Sequence, residues 1–503
     1  MELCHTDSVL PSQAMQRLGQ FIRERGVQWT DSTPDFERFE HELHEQMMAL
    51  ERELLGEELA RYDVTAEQIE VGGMKYRSVL TTPETYLTVA GPVTVTRNLY
   101  RPAGRESRSI CPLEVRAGLI AGYWTPWAAR QAAFVLAHLT PGESEMLFDE
   151  LGGLRPSRSS LDRLPKALSP HWEAHRQEWE AALRLAETVP PTAAVMAISV
   201  DGVMAPMKGT DRSVKRDQPG KHASGPTGNR EVGCGTVVLY DAAGQRLQTV
   251  RYGRMPEHKK ATLQQQLAAE VSGVLAVRPD LQRVLLADGA KDNWRLLAEV
   301  DQAWGHPAQP SIEIVDFYHT CDHLKNGCDA AWGESTARGK AEFERLKTLL
   351  KEADDGVEQV IRALKYQRGR ASGRKQERLT TELTYFRNQR HRMHYPEYIR
   401  SGLPIASGVM EATCKTLVTQ RLKRSGMAWT HSGGQAILTL RSLIQSDRWP
   451  LAWDLLRADF CQSITLCDTQ KIVPKIVQPD HSLFRQPISR LDHIDYAALP
   501  LAV

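Results

Sequence analysis

Apolar positions follow a helical period in some stretches of the chain and a strand pattern in others. Apolar residues at three- and four-residue steps predict an amphipathic helix over 35–60. Residues 74–100, rich in Val, Thr, Tyr and Leu, predict two or three short antiparallel strands. The helical period returns over 124–185 and stops before a pair of prolines. The chain is therefore expected to begin with a helical region and a small β module.

The centre of the chain has the pattern of an α/β sheet. The almost wholly apolar run 194–207 predicts a buried strand, and a basic loop follows over 208–230. The pattern then predicts a hairpin at 230–255 and helices at 258–277 and 291–304. It also predicts a strand after each of these helices, at 283–289 and 312–319. The order strand, strand, strand, helix, strand, helix, strand predicts a mixed sheet.

The last third returns to a helical period. Residues 338–400 carry 16 Lys and Arg against 9 Asp and Glu, so this helical stretch is basic. A helix over 407–422 is expected to be capped by Ser407, and the pattern weakens after residue 460. We divide the chain into seven parts. The first three are a helical region (1–70), a β module (71–120) and a second helical region (121–190). The core has a first part (191–333) and a last part (403–460), which a helical insertion (334–402) separates, and an irregular tail (461–503) follows.

Charge is unevenly distributed along the 503 residues, although the formal net charge is only +1. Residues 1–150 hold 14 Lys and Arg against 23 Asp and Glu, which leaves 49 against 39 for the remainder. A basic body suits an anionic polymer such as DNA. Because no signal peptide or run of roughly 18–20 apolar residues is present, we expect a cytoplasmic protein outside the membrane.

Two acids follow apolar strands of the predicted sheet. Asp201 comes after one strand and Asp288 after another, and strand ends of open α/β sheets are where ligands collect. Neighbouring carboxylates repel each other unless a cation lies between them, which points to a divalent metal. Glu411 lies one turn into the 407–422 helix, whose apolar residues suggest that it is partly buried. Glu411 is therefore expected to be a third metal ligand.

The segments around these acids resemble the three acidic blocks of DDE transposases. They read SVDGV, LLADGAKDNW and SGVMEATCKTLVTQRLKRSGMAW, and the string LKRSGMAW is similar to the signature of the ISKra-type insertion-sequence family, a relative of the Mutator-like superfamily. Relatives also carry an Asp-x-x-His motif, which DFYH provides as Asp316 and His319. Relatives often have a cysteine pair after the N-terminal strands, where this chain has only Cys111.

The resemblance implies a function and a fold. It implies a ribonuclease-H-like mixed sheet with an all-helical insertion, and a transposase that cleaves DNA and joins 3′-hydroxyl ends to target DNA. Asp201, Asp288 and Glu411 would be both the catalytic residues and the ligands of Mg²⁺ or Mn²⁺. The partners would be the terminal inverted repeats and target DNA, with a homo-oligomer in a synaptic complex and a nucleoid association.

Several basic residues are candidates for DNA contact. Residues 143–151 and 157–168 flank Gly152-Gly153 as in a helix-turn-helix, although such hairpins are also common without DNA. The candidates lie on the second helix of this hairpin and beside the Glu411 helix: Arg158, Arg163, Lys415, Arg421, Lys423 and Arg424. A basic run is ordinarily a solvated face, but beside a DNA-cutting site phosphate contact is the better interpretation.

Other side chains leave alternatives open. Asp316 and His319 are expected to steady the site by hydrogen bonding. His319, Cys321, His323 and Cys328 lie close in sequence, but their spacing does not match the usual zinc sites, and the eight scattered cysteines contain no CxxC pair. Trp294 and Trp429 follow acidic blocks and suit core packing better than base stacking.

Three other functions compete with transposition. A ribonuclease-H-like nuclease would keep the fold without joining strands. A domesticated DNA-binding protein would have no reason to retain three acids. A carboxylate-based glycosidase would call for an aromatic sugar cleft, which the basic insertion argues against.

Overall fold

The computed structural model describes residues 12–28, 35–102, 109–209, 227–303 and 310–467. Most of the predicted basic loop and of the predicted irregular tail lies outside these residues. Within them, no helix combines the length and apolar character needed to cross a membrane.

Among the described residues, nine strands form two sheets. They are β1 Gln68–Val71, β2 Met74–Thr88, β3 Gly91–Pro102, β4 Ala193–Met207, β5 Gly228–Asp241, β6 Arg246–Arg254, β7 Gln282–Ala287, β8 Ile312–Val315 and β9 Thr465–Leu466. The first sheet has the order β3-β2-β1-β9 and the second β6-β5-β4-β7-β8. The second sheet is mixed, because β4, β5 and β6 pair antiparallel while β7 pairs parallel with both β4 and β8. The predicted mixed α/β architecture is thus confirmed.

Helices surround both sheets. They are α1 Ser12–Gln28, α2 Phe36–Ala60, α3 Pro112–Ala117, α4 Pro126–His138, α5 Pro141–Leu151, α6 Arg158–Ala186, α7 Ala261–Val277, α8 Lys291–Gln302, α9 Phe317–Trp332, α10 Ala337–Glu352, α11 Gly356–Gly369, α12 Gly373–Gln389, α13 Tyr395–Arg400, α14 Gly408–Thr413, α15 Gln420–Leu422, α16 His431–Gln445 and α17 Trp449–Asp459. A π-helical turn, Cys414–Thr419, joins α14 to α15.

The first sheet is built on a hairpin longer than the sequence predicts. Strands β2 and β3 extend over 15 and 12 residues, although both contain proline. Pro83 and Pro92 are tolerated because β3 lies at the sheet edge and β2 loses its other neighbour beyond Arg77. The prediction of short strands is therefore wrong, since an edge position makes proline harmless to pairing.

The predicted helical insertion is helical, and it shares the core of the second sheet. Leu346, Leu364 and Phe386 of α10, α11 and α12 belong to the same buried cluster as Ile198 and Leu285 of the strands. The core is thus continuous from the sheet into the insertion, and α12 is held in a fixed position beside the ends of β7 and β8.

One predicted strand end and one predicted side-chain cap are wrong, although the helix after Ser407 starts where the sequence predicts. The strand predicted over 312–319 ends at Val315, because Asp316 caps α9 and so turns Phe317 and His319 into helix. Ser407 does not cap α14 with its side chain. Instead, its backbone N–H donates to the Asp316 carboxylate. One acid therefore joins the starts of two helices.

A buried charge network ties α6, α7 and β6 to the start of α17. The Arg448 guanidinium contacts Glu270 at 2.7 Å and Glu187 at 2.6 Å, and the Tyr252 hydroxyl donates to Glu270 at 2.6 Å. The side chains of Arg448 and Glu270 are only 3% and 2% exposed. A charge this deep is tolerated only while its partner is present.

We expect Arg448→Met to destabilise the fold by roughly 3–5 kcal/mol, because it removes the closer of the two arginines that face the buried Glu270 carboxylate and leaves Arg184, 3.7 Å away. Arg457→Met is the matched control, since Arg457 is half exposed and only 3.7 Å from Asp454, and it should cost less than about 1 kcal/mol. Urea unfolding measures both. Equal midpoints for the two variants would show that the network is dispensable.

Candidate active site

Asp201 lies within the central strand β4, which continues to Met207, so the prediction that Asp201 follows the strand is wrong. In the antiparallel register it is opposite Cys234 of β5, and its Oδ2 atom lies 3.6 Å from the Cys414 thiol of the π-helical turn. Its Oδ1 atom accepts the Gly202 backbone N–H at 2.6 Å. Burial and the charge of Asp288 raise the pKa of the Asp201 carboxyl above its usual value, the burial effect being larger.

Asp288 follows the last residue of β7. Its Oδ1 atom accepts two hydrogen bonds at 3.0 Å, one from the Ala290 backbone N–H and one from the Asn293 amide. Hydrogen bonds among the described residues leave the Oδ2 atom free. The carboxylate is therefore fixed through one oxygen and open at the other.

The pairing of β4 with β7 brings the two acids together. Ser199 is the last residue of β4 in register with β7, opposite Leu286. Asp201 and Asp288 each lie two residues further on, so they are level at the point where the parallel strands separate. The effect of Asp288 on the pKa of Asp201 shows that the two charges interact. The structure therefore places the two acids next to each other, and their role as shared metal ligands stays a prediction.

Glu411 is not part of this pair. It lies in the first turn of α14, and its side chain is exposed, so the inference that it is partly buried is wrong. The helix is anchored through Met410 and Cys414, which face the sheet, while Glu411 points to solvent. Cys414, one helical turn after Glu411, contacts Asp201. Glu411 is thus about one turn from the acid pair along its helix.

The two acids are the kind of ligand that the predicted metal site needs, but they are two where the sequence predicts three. Among the described residues, no group of three or more His, Cys, Asp or Glu side chains is placed to hold a metal ion. Two adjacent carboxylates are the oxygen donors that Mg²⁺ and Mn²⁺ prefer. Their repulsion also gives a cation an electrostatic reason to bind.

Asp316 performs a structural task that the sequence only partly indicated. It is 4% exposed, and its carboxylate accepts the backbone N–H groups of His319, at 2.6 Å, and of Ser407. The His319 imidazole is exposed and is not its partner. Hydrogen bonding by Asp316 therefore fixes the starts of α9 and α14, whereas an Asp316–imidazole pair does not form.

The four residues considered for zinc are separated by burial. Cys321 and Cys328 lie in the hydrophobic core, where burial raises the pKa of each thiol to about 12. His323 contacts Glu382 at 2.6 Å and stacks on Tyr385 with ring centroids 3.6 Å apart. The cysteines are thus packing residues, and His323 steadies α12 against α9.

The predicted DNA-contacting residues divide into buried and exposed groups. Arg421 is 2% exposed and donates to the Leu136 carbonyl oxygen, so its prediction as a DNA contact is wrong. Arg424 forms an ion pair with Glu143 at 2.6 Å. Four others are exposed, namely Arg158, Arg163, Lys415 and Lys423. The helical period could have indicated this burial, because apolar Leu417 and Val418 lie four and three residues before Arg421 on the same face.

The two tryptophans behave differently. Trp294 is 6% exposed, with the Arg392 guanidinium 3.9 Å from its ring centroid, which confirms the prediction of core packing. Trp429 is only half-buried, and its indole N–H donates to the Leu422 carbonyl at 2.9 Å.

The sequence pattern did not identify several residues that lie beside the acid pair. Asn293 binds Asp288, and Lys260 bridges Glu231 at 2.9 Å and Asn293 at 3.1 Å. Tyr385 of α12 covers Gly289, where a Cβ would be 2.5 Å from its ring. Asn293 is five residues after Asp288, a spacing that could have suggested a contact. Nothing in the sequence around Lys260 indicates its position.

Comparison with known proteins provides no family. No family model and no curated protein matches the chain. A chain of the Drosophila P element transposase strand transfer complex aligns with a TM-score of 0.26 and 11% identity, over 67% of this chain and 81% of that chain. A TM-score of this size carries no inference about function.

The raised pKa of Asp201 makes a prediction about stability. Folding disfavours ionisation of Asp201, so the protonated carboxyl group makes the folded chain more stable than the ionised one does. This contribution to the free energy of unfolding is present below the ordinary carboxyl pKa and is lost as the pH rises through the raised pKa of Asp201. We therefore expect Asp201→Asn, which mimics the protonated form, to melt no lower than wild type at pH 7.5 with EDTA. Mg²⁺ should raise the melting temperature of wild type only. A clear drop for the variant in EDTA would contradict this account.

Proposed function

We propose that the chain is a metal-dependent DNA transposase of the DDE type, with a ribonuclease-H-like core and a relationship to the ISKra-type family. The observation that carries the proposal is the level position of Asp201 and Asp288 on adjacent parallel strands, with interacting charges. An antiparallel three-strand meander followed by two parallel strands also suits such a core. The LKRSGMAW string supports the family relationship.

Asp201 and the free oxygen of Asp288 would hold Mg²⁺ or Mn²⁺. When bound, such ions would activate a water or a DNA 3′-hydroxyl and stabilise the leaving oxygen at the scissile phosphate. Asp288 is already oriented by Ala290 and Asn293, so metal binding would need little rearrangement there. The protonated fraction of Asp201 would have to ionise first.

Glu411 would complete the ligand set by a local movement of its helix. The segment is irregular, because a π-helical turn follows α14 directly, and such turns are common at functional sites. Asp316 holds the start of α14 through the Ser407 amide, and Cys414 holds its other end against Asp201. Movement of the segment between these two anchors would turn Glu411 toward the pair.

DNA would enter along a groove between the α5–α6 hairpin and the segment 426–430. Its volume is about 940 Å³. Arg158, Lys208 and the half-buried Trp429 line it, and neither basic side chain forms an ion pair among the described residues. Unpaired cations beside an aromatic ring suit phosphates and bases of a nucleic acid.

The groove and the acid pair are connected by one strand. Lys208 is seven residues after Asp201 along β4 and its end, which is about 23 Å of extended chain. At about 3.4 Å per nucleotide, this places the groove roughly seven nucleotides from the point of cleavage. We infer that the groove holds the DNA end while the acids act on the strand terminus, in a homo-oligomeric synaptic complex.

The enzymatic test is Mg²⁺-dependent cleavage and strand joining on DNA that carries any inverted repeats flanking the coding sequence. Because each acid contributes to the same metal site, Asp201→Ala, Asp288→Ala and Glu411→Ala should each lower the rate by at least about a hundredfold. The exposed Glu334→Ala is a control that should retain full activity.

The outcomes separate the competing functions. Cleavage without joining would identify a nuclease, and DNA binding without cleavage would identify a non-catalytic binding protein. Full activity of Glu411→Ala would remove Glu411 from the site, while full activity of Asp201→Ala would contradict the proposal as a whole.

The groove has its own test, made by DNA binding at several salt concentrations. We expect Arg158→Ala with Lys208→Ala to reduce the slope of log K against log[salt] by about 1.8, since each lost phosphate contact contributes roughly 0.9. Arg38→Ala, on exposed and already ion-paired Arg38 of α2, should leave the slope unchanged. An unchanged slope in the double variant would exclude this groove as the DNA path.

A further inference from the structure

Two adjacent lysines before α7 adopt the left-handed backbone conformation. Lys259 has φ 52° and Lys260 has φ 53°. The described residues include five non-glycine positions with positive φ, and these two are the only consecutive ones. Such conformations cost of order 1 kcal/mol each and persist where the surroundings enforce them. No helix cap explains the conformation, because the Lys260 side chain does not cap α7.

The conformation directs the Lys260 side chain inward. Its ammonium donates to Glu231 Oε1 at 2.9 Å and to Asn293 Oδ1 at 3.1 Å, and the side chain is only 17% exposed. Two glycines paired across β4 and β5 make the space. The stem of Lys260 lies over Gly233, and any side chain at Gly202 would overlap Glu231.

Lys260 determines which way the Asn293 amide points. An ammonium can only donate, so it selects the amide oxygen of Asn293 and leaves the amide N–H groups facing Asp288. Asn293 is 5% exposed, and its Nδ2 atom donates to Asp288 Oδ1 at 3.0 Å. Glu231, Lys260, Asn293 and Asp288 therefore form one continuous chain of hydrogen bonds. Its last link fixes one oxygen of Asp288 and leaves the other open.

We propose that Lys260 is a positioning residue of the acid pair: its ammonium, acting through Asn293, holds the Asp288 carboxylate in the orientation that binds a divalent cation. This inference rests on the proposed function and deepens it. The strained backbone is the structural cost of holding the ammonium against Asn293 while the Oδ2 atom of Asp288 stays open. Partners of metal ligands commonly change metal affinity by about 10–100-fold when they are removed.

The two lysines supply a matched pair of variants, Lys260→Gly and Lys259→Gly, in the full chain. Both replacements suit a positive φ and relieve the same strain, but only the first removes the ammonium that contacts Glu231 and Asn293. Lys259 is exposed and makes no hydrogen bond among the described residues. Calorimetric titration with Mn²⁺ should give about 10–100-fold weaker binding for Lys260→Gly and wild-type binding for Lys259→Gly. Both should melt within a few degrees of wild type in EDTA.

Each outcome decides a different claim. If wild type and Lys260→Gly bind Mn²⁺ equally, the positioning role is excluded while the proposed function stands. If wild type binds no Mn²⁺, both fall together. If Lys260→Gly does not fold, Asn293→Leu replaces it, because this variant breaks the same chain of hydrogen bonds one step closer to Asp288 and should weaken Mn²⁺ binding equally. Unchanged Mn²⁺ affinity in Asn293→Leu would overturn the proposal.

Discussion

The register between β4 and β7 is the constraint on which the site depends. A shift of one residue would turn one of the two acids to the opposite face of the sheet. Buried apolar residues on both strands set this register, from the pair that contains Val195 of β4 to the pair that contains Leu286 of β7. Burial of these apolar residues therefore stabilises the register, although the register brings the Asp201 and Asp288 carboxylates close enough to repel each other. A site that concentrates like charge in this way is unstable alone and gains from a cation.

Polar contacts attach the helices to this sheet at defined points. Asp316 caps α9 and also binds the Ser407 amide, so the helix that carries Glu411 starts at the end of β8. The Arg448 and Glu270 pair fixes the helices on the other side. The helical insertion is fixed by a shared core, which places Tyr385 over Gly289 beside Asp288. The helices around the site are thus held in place by buried side-chain contacts with the sheet.

The sequence predicts the parts of the site that follow from strand periodicity. Asp201 and Asp288 stand out because Asp201 interrupts an apolar run and Asp288 follows one, and the parallel pairing of β4 with β7 brings them to the same level. Glu411 and Arg421 show the limit of reasoning from residue type: Glu411, expected to be partly buried, is exposed, and Arg421, expected to contact DNA, is buried. Lys260 was not predictable, because its role comes from a left-handed backbone and from two glycines on strands far away in sequence.

The central claim is that Asp201 and Asp288 share one divalent cation. Anomalous diffraction from crystals grown with Mn²⁺ tests it most directly, because the signal identifies the ion and its ligands together. The account predicts a peak about 2 Å from an oxygen of each carboxylate, with Oδ2 as the ligand atom of Asp288. A peak bound to only one of the two acids, or Mn²⁺ elsewhere with this pair empty, would contradict it.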